Sequence, residues 1–253
     1  MKFSNPYAEA VLNTVHVAGK EVNKLAVQVK DDDGNMVLAG IHSDGYNLIP
    51  NSLARDVTDD IMSRSGMEWA NLKTHWDGKR FVNYFYTKNA VTEFKNGTTY
   101  PMHLGMMVRN SYDGSSTFGL EFYGMNMVCL NQFISRKMMG YFMIKHTGDQ
   151  KFDLEDATDN IRNGSQRLIE IAPRWQAMTK KELAVTDIIE ARNKDLVPKI
   201  FWGEVIDQLG KEPDFGKLFG LYQALTFVSS HKIQGLSSLS HGNDITEHFF
   251  SMV

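Results

Sequence analysis

The run Arg80-Phe81-Val82-Asn83-Tyr84-Phe85-Tyr86 has the alternation of a strand. A strand puts Arg80, Val82, Tyr84 and Tyr86 on one face and Phe81, Asn83 and Phe85 on the other. One cation and two flat phenols on a shared face are what sequence-independent binding of a single nucleic-acid strand requires. The guanidinium follows phosphates and the rings stack on bases. Lys73, Trp76, Lys79, Lys88, Arg109, Arg136, Lys137 and Lys145 lie close by in sequence. With Arg80, Tyr84 and Tyr86 they form the expected nucleic-acid-binding set. The competing account is plain: tyrosines and lysines are common on any exposed sheet face, and Trp76 suits a core.

Charge is distributed in the same sense. Residues 73–151 carry 10 Lys/Arg against 5 Asp/Glu, a net of +5, whereas residues 1–72 and 152–253 each carry a net of −4. A polyanion is attracted to the middle of the chain alone. The overall charge of −3 argues against a general DNA coat.

Residues suited to covalent or metal chemistry do not assemble into a motif. The sequence lacks a Walker loop, a GxGxxG turn, a GxSxG elbow and an HExxH pair. Of the eight histidines, His241 and His248 are seven apart with Asp244 between them, the one spacing that suggests a metal site. Two solvated polar side chains explain it better than a metal does. Asp31-Asp32-Asp33 is a charged turn that could hold a cation. Glu155 and Asp156 complement a helix start. Cys129 stands alone within Met127-Val128-Cys129-Leu130, which suits an inert buried thiol. No cofactor, no metal and no catalytic residue is expected, and the chain is read as a non-enzyme.

The elements that would carry the basic strand follow from periodicity. Residues 1–20 suggest an irregular start or a short helix around Tyr7 to His16. Leu25, Val27 and Val29 alternate, Asp33-Gly34 turns, and Met36 to Ile41 returns, which is a β-hairpin. Asn51 or Ser52 caps a helix whose buried stripe is Leu53, Val57 and Ile61, and Gly66 stops it. Strands follow over Trp69–Trp76, Arg80–Thr87, Val91–Phe94, Met102–Arg109 and Thr117–Tyr123, as a half-buried antiparallel meander. After Asn131 the pattern is helical: Asp153 caps a helix that Pro173 kinks or ends, and further helices are expected at 183–192, 197–209, 215–229 and 245–249. The class is α+β, an antiparallel β-meander packed on a helix and followed by a helical C-terminal half. Residues 1–150 form the β-rich core with one packed helix. Residues 151–253 form a helical region packed on it, as one compact unit, because no Pro/Gly/Ser linker intervenes. The single cysteine, the lack of a secretory leader and the lack of a spanning apolar run predict a cytoplasmic protein with no membrane role.

Four segments carry a resemblance. Tyr46-Asn47-Leu48-Ile49-Pro50-Asn51, Asn110-Ser111-Tyr112-Asp113-Gly114-Ser115, Val128-Cys129-Leu130-Asn131 and Lys145-His146-Thr147-Gly148 resemble, in order and spacing, a phage- and plasmid-borne family labelled only as a domain of unknown function. The match covers roughly residues 45–150, and Leu221-Tyr222-Gln223-Ala224 looks similar more loosely. A looser resemblance runs through Tyr46–Ile49, Leu53–Arg64, Gly66, Trp69 and Val108-Arg109 to Asp113-Gly114-Ser115. This order is similar to that of single-strand annealing proteins of the Rad-fifty-two type. That resemblance implies a curved antiparallel sheet on a helix, closure of subunits into rings, and single-stranded DNA in an external basic groove.

These observations point to a phage protein that binds or anneals single-stranded DNA in replication or recombination without ATP. Its expected partners are single-stranded DNA, further copies of itself that cover open sheet edges, and replication proteins of phage or host. The alternative is a structural or host-interaction protein with no nucleic-acid role, whose methionine and aromatic surplus is partly exposed. A hydrolase or nuclease would need clustered carboxylates, which the sequence does not show.

Overall fold

The computed structural model describes residues 2–96, 98–126, 131–133, 139–148, 154–233 and 236–253. The N-terminal half is mainly antiparallel sheet and the C-terminal half helical. In chain order the elements are β1 (Ala10–Val17), β2 (Lys20–Lys30), β3 (Met36–His42), α1 (Asn51–Arg64), β4 (Trp69–Trp76), β5 (Arg80–Thr87), β6 (Thr92–Asn96), β7 (Thr98–Ser111), β8 (Phe118–Asn126), β9 (Asn131–Phe133), β10 (Tyr141–Ile144), α2 (Leu154–Lys180), α3 (Val185–Asn193), a short 3-10 turn (Lys199–Phe201), α4 (Trp202–Leu209), α5 (Leu218–Lys232) and α6 (Leu236–Phe250). Two units partition the chain. The first comprises Met1–Tyr86, Met106–Glu121 and Tyr141–Ile161; the second comprises Thr87–Gly105, Phe122–Gly140 and Arg162–Val253.

The first unit opens on a three-stranded sheet, β1-β2-β3. The short helix expected over residues 7–16 is instead strand β1, which pairs with β2 from Ala10↔Val29 to Val17↔Lys20. The two-residue turn between them is Ala18-Gly19, with both residues at positive φ (51° and 77°). Right-handed strand twist favours such a turn. Val27, Val29 and Ala39 face inward with Tyr46 and Tyr112. A bulge between Val27 and Gln28 gives β3 one extra residue, so Met36, Leu38 and then Ile41 stay outward on this edge strand.

A second sheet has the strand order β10-β8-β7-β5-β4, and the first unit holds α1, β4 and β10 with residues 80–86 of β5, 106–111 of β7 and 118–121 of β8. Ala54, Val57 and Ile61 are the inner stripe of α1, whereas Leu53, expected there, is exposed. Neither Asn51 nor Ser52 caps the helix; Pro50 occupies that position without a side-chain bond. The Asn51 side chain is used elsewhere: its Nδ2 donates to the Pro6 carbonyl (2.9 Å), and its Oδ1 accepts from Asn110 Nδ2 (2.8 Å). Its backbone N–H donates to the Tyr112 hydroxyl (2.7 Å). These are buried groups, and each bond removes a desolvation cost of roughly 1–3 kcal/mol.

The meander is half-buried in β4 and β5 but not in β7 and β8: residues 102–108 of β7 and 118–125 of β8 are buried at every position, so both faces of these strands are covered. In the second unit Gly105 has its reason here: a Cβ would run into the Tyr123 ring. That unit also contains the pairing of β6 with β7, from Thr92↔Met102 to Asn96↔Thr98, and of β9 with β8. β9 and β10 replace the helical pattern expected directly after Asn131. Pro173 lies inside α2 and does not end it. The bond it forfeits is to the carbonyl of Ile169, an exposed position where water is at hand. α5 is apolar all round and buried from Leu218 to Leu225. The ring of Phe219 meets Phe94 and Tyr100 edge-on at 5.2 and 5.4 Å. The Asp153 cap lies outside the described residues.

Candidate nucleic-acid interface

The β4–β5 turn is set by one side chain. Asp77 Oδ1 accepts the N–H groups of Lys79 (2.9 Å) and Arg80 (2.7 Å). Lys79 and Arg80 therefore leave a fixed turn, both exposed. Beyond them β5 keeps its alternation. Phe81 and Asn83 are buried, and Tyr84 and Tyr86, on the face of Arg80, are half-buried.

Arg80 Nε donates to Asp113 Oδ2 at 3.0 Å. Burial pushes the Asp113 carboxyl up, but hydrogen bonds from Ser115 and the Arg80 charge outweigh it, and the carboxyl lies below its ordinary value. The pair orients the Arg80 guanidinium through Nε alone.

Deeper on this sheet, Arg109 of β7 meets Glu121 of β8 at 3.0 Å, with side chains only 12% and 8% exposed. Arg109 also donates to Met143 Sδ of β10 (3.4 Å). Burial, then the Glu121 charge, raises the Tyr84 hydroxyl above its ordinary value. Arg109 is thus an internal charge committed to Glu121, and Tyr84 stands against that pair.

The other expected residues scatter. Lys73 is exposed on β4 and Lys145 just past β10, both in the first unit; Lys88 is exposed in the second. Trp76 turns to the core, edge-on to Tyr112 (5.7 Å) and Phe3 (6.3 Å). Arg136 and Lys137 lie outside the described residues, as does Cys129.

A second cluster in the first unit was not legible from spacing. The His42 and Tyr46 rings stack at 3.8 Å and 11°, and His146 lies parallel to Tyr46 at 5.2 Å and 2°. Tyr46 bridges to Thr147. The Asn47 N–H donates to the His146 carbonyl (2.7 Å), and Asn47 Nδ2 donates to Gly148 O (2.6 Å). Asn110 Nδ2 reaches Ile49 O (2.8 Å), and His42 Nε2 donates to Tyr112 O (2.8 Å). Segments 46–51, 110–115 and 145–148, far apart in sequence, therefore meet. Burial pushes the Tyr112 hydroxyl up to about 12 and Tyr46 higher still.

Among the described residues no group of three or more His, Cys, Asp or Glu is placed to hold a metal ion. The Asp31 carboxylate accepts the N–H groups of Asp33 (3.0 Å) and Asn35 (2.8 Å), and Asp32 accepts those of Ser4, so the acidic turn is internally engaged. His248 faces Lys194 Nζ at 3.1 Å. Nor, among the described residues, is any helix long and apolar enough to cross a membrane.

Fold and side-chain geometry together define an α+β protein with Arg80, Tyr84 and Tyr86 on one strand face and a separate aromatic cluster at Tyr46. The chain belongs to the DUF932 family, a domain of unknown function, whose model matches residues 39–201. The three segments that meet at Tyr46 all lie inside that span. No curated protein and no solved structure matches the chain. The resemblance to annealing proteins of the Rad-fifty-two type therefore rests on the sequence segments alone.

Proposed function

We propose that this protein binds single-stranded DNA without ATP, as a coating or annealing protein of phage replication or recombination. One observation carries the reading: Arg80, Tyr84 and Tyr86 share one face of β5, beginning at a fixed turn that also presents Lys79. Cations contact phosphates and the tyrosine rings stack on bases, a contribution of about 1–3 kcal/mol per base. Lys73 and Lys145, exposed elsewhere in the first unit, add positive charge there, whereas Arg109 is held inside by Glu121 and is not presented to a phosphate. Self-association fits the same reading, because β3 is an edge strand with Met36, Leu38 and Ile41 exposed.

The test is fluorescence anisotropy with single- and double-stranded oligonucleotides at about 50 and 200 mM salt, a range in which phosphate contacts lose much of their affinity. Preferential, salt-sensitive binding to the single strand is expected. Lys79→Ala with Arg80→Ala, both at exposed positions, should flatten the salt slope by about 0.7 per lost phosphate contact. Adding Tyr84→Ala and Tyr86→Ala should weaken binding at both salt concentrations. Absence of binding to either oligonucleotide at the lower salt overturns the proposal.

A second reading, an interaction protein without a nucleic-acid role, is favoured by the apolar residues that the second unit exposes. Val185 is 72%, Ile200 84% and Phe215 64% exposed.

A further inference from the structure

Three nearly parallel rings, His42, Tyr46 and His146, hold two chain segments together in the first unit. A carbonyl only accepts, so the bonding fixes both tautomers. His42 carries its proton on Nε2, facing Tyr112 O, and His146 carries its proton on Nδ1, facing Asn47 O at 3.3 Å. Each ring keeps a lone pair on the other nitrogen. For His146 that atom, Nε2, is buried with no hydrogen-bond partner among the described residues.

We infer that this stack is an acid-sensitive clasp: it holds segment 145–148 against segment 42–51 while both histidines are neutral, and it releases that segment when His146 takes a proton. The inference does not depend on the nucleic-acid reading. A proton on His146 Nε2 places a charge at a site that is 7% exposed and offers that proton no acceptor among the described residues.

The neighbouring ionisable groups leave the balance on the neutral side. Tyr46 and Tyr112 stay un-ionised. Asp113, whose charge acts on Tyr46, is engaged by Arg80 and Ser115. Asp44 and Lys145 flank the two segments and are exposed. Burial first, then the charge of His42, holds His146 below its ordinary value, and the bond to Asn47 opposes this only in part. What opens is local: the Asn47 N–H bond to His146 O and the Tyr46–Thr147 bridge.

The experiment is an NMR titration of the whole chain, following both histidine rings and the hydrogen-exchange protection of the Asn47 amide, corrected for intrinsic exchange. The wild-type His146 ring should titrate below the ordinary histidine value. Asn47 protection should fall by up to about tenfold per pH unit between the ordinary histidine value and the lower value of His146 in the closed stack, while the Thr58 and Ile61 amides of α1 keep theirs. In His146→Gln, which cannot take the proton, protection should no longer depend on pH. Titration of His146 with Asn47 protection unchanged overturns the clasp, as does a parallel loss at Asn47 and α1, which is global unfolding. Because the wild-type measurement decides by itself, a variant that fails to fold leaves the test intact.

Discussion

Arg109 and Glu121 form the pair at which a single side chain should matter most to stability. Their charges sit 3.0 Å apart and almost out of water. Desolvation and attraction nearly cancel for such a pair, but removing one partner strands the other. Arg109→Met alone, or Glu121→Leu alone, should therefore cost about 3–5 kcal/mol. The double substitution should recover most of that, since two apolar chains of similar size leave no orphan charge. A double-mutant cycle in urea checks this, and single-variant costs below about 1 kcal/mol, the range of exposed pairs, would mean that water reaches the site. The same geometry separates Arg109 from Arg80. Arg80 is 59% exposed and held through Nε, so its replacement should act on binding rather than on folding.

At the scale of elements, the β1–β2 hairpin shows where local signals are faint. Ala18 adopts φ 51°, a conformation that costs a residue with a Cβ roughly 1 kcal/mol, and that asparagine tolerates. Ala18→Asn should stabilise the first unit by a few tenths to about 1 kcal/mol, read as a raised urea midpoint with an unchanged slope. An unchanged midpoint would place the strain elsewhere. That alanine is also why β1 was invisible as a strand: Asp33-Gly34 and Asp77-Gly78 announce their turns, whereas Ala18-Gly19 does not. The strands β2 to β5, β7 and β8 and the helices of the second half were legible, because alternation and helical periodicity reflect burial on one side. Leu53 and the meander misled for a related reason. Periodicity reports that a face is apolar, and it cannot say which of two neighbouring apolar positions faces in, or that a second layer covers the outer face. β9 and β10 are short and have few residues from which to establish a period.

Across the whole molecule, the candidate surface was legible where it followed one strand and illegible where it needed tertiary pairing. Arg80, Tyr84 and Tyr86 come from a single alternation. The engagement of Arg109 by Glu121, the inward turn of Trp76 and the His42–Tyr46–His146 stack all depend on contacts between distant segments. Two of those long-range histidine sites bear on stability, one in each unit. His146 in the first unit is held below 6.5 chiefly by burial. His248 in the second is held below 6.5 by burial and then by Lys194. A histidine with a lowered folded value binds fewer protons folded than unfolded, so stability is fully present above about pH 6.5 and is lost as the pH falls toward the folded value. Glu212 acts with the opposite sign: burial raises its carboxyl above 4.5, so its ionisation costs folded stability as pH rises through that region. Urea unfolding at about pH 7.5, 6.5 and 5.5, values spanning the ordinary histidine range, should show a falling midpoint. His146→Gln and His248→Gln should each remove part of the fall. Glu212→Gln should raise the midpoint at the highest pH and make the decline toward acid steeper, because it removes a group that acid favours. A midpoint independent of pH in the wild type, or a decline untouched by either histidine substitution, would show that these buried rings are not the groups that take up the protons.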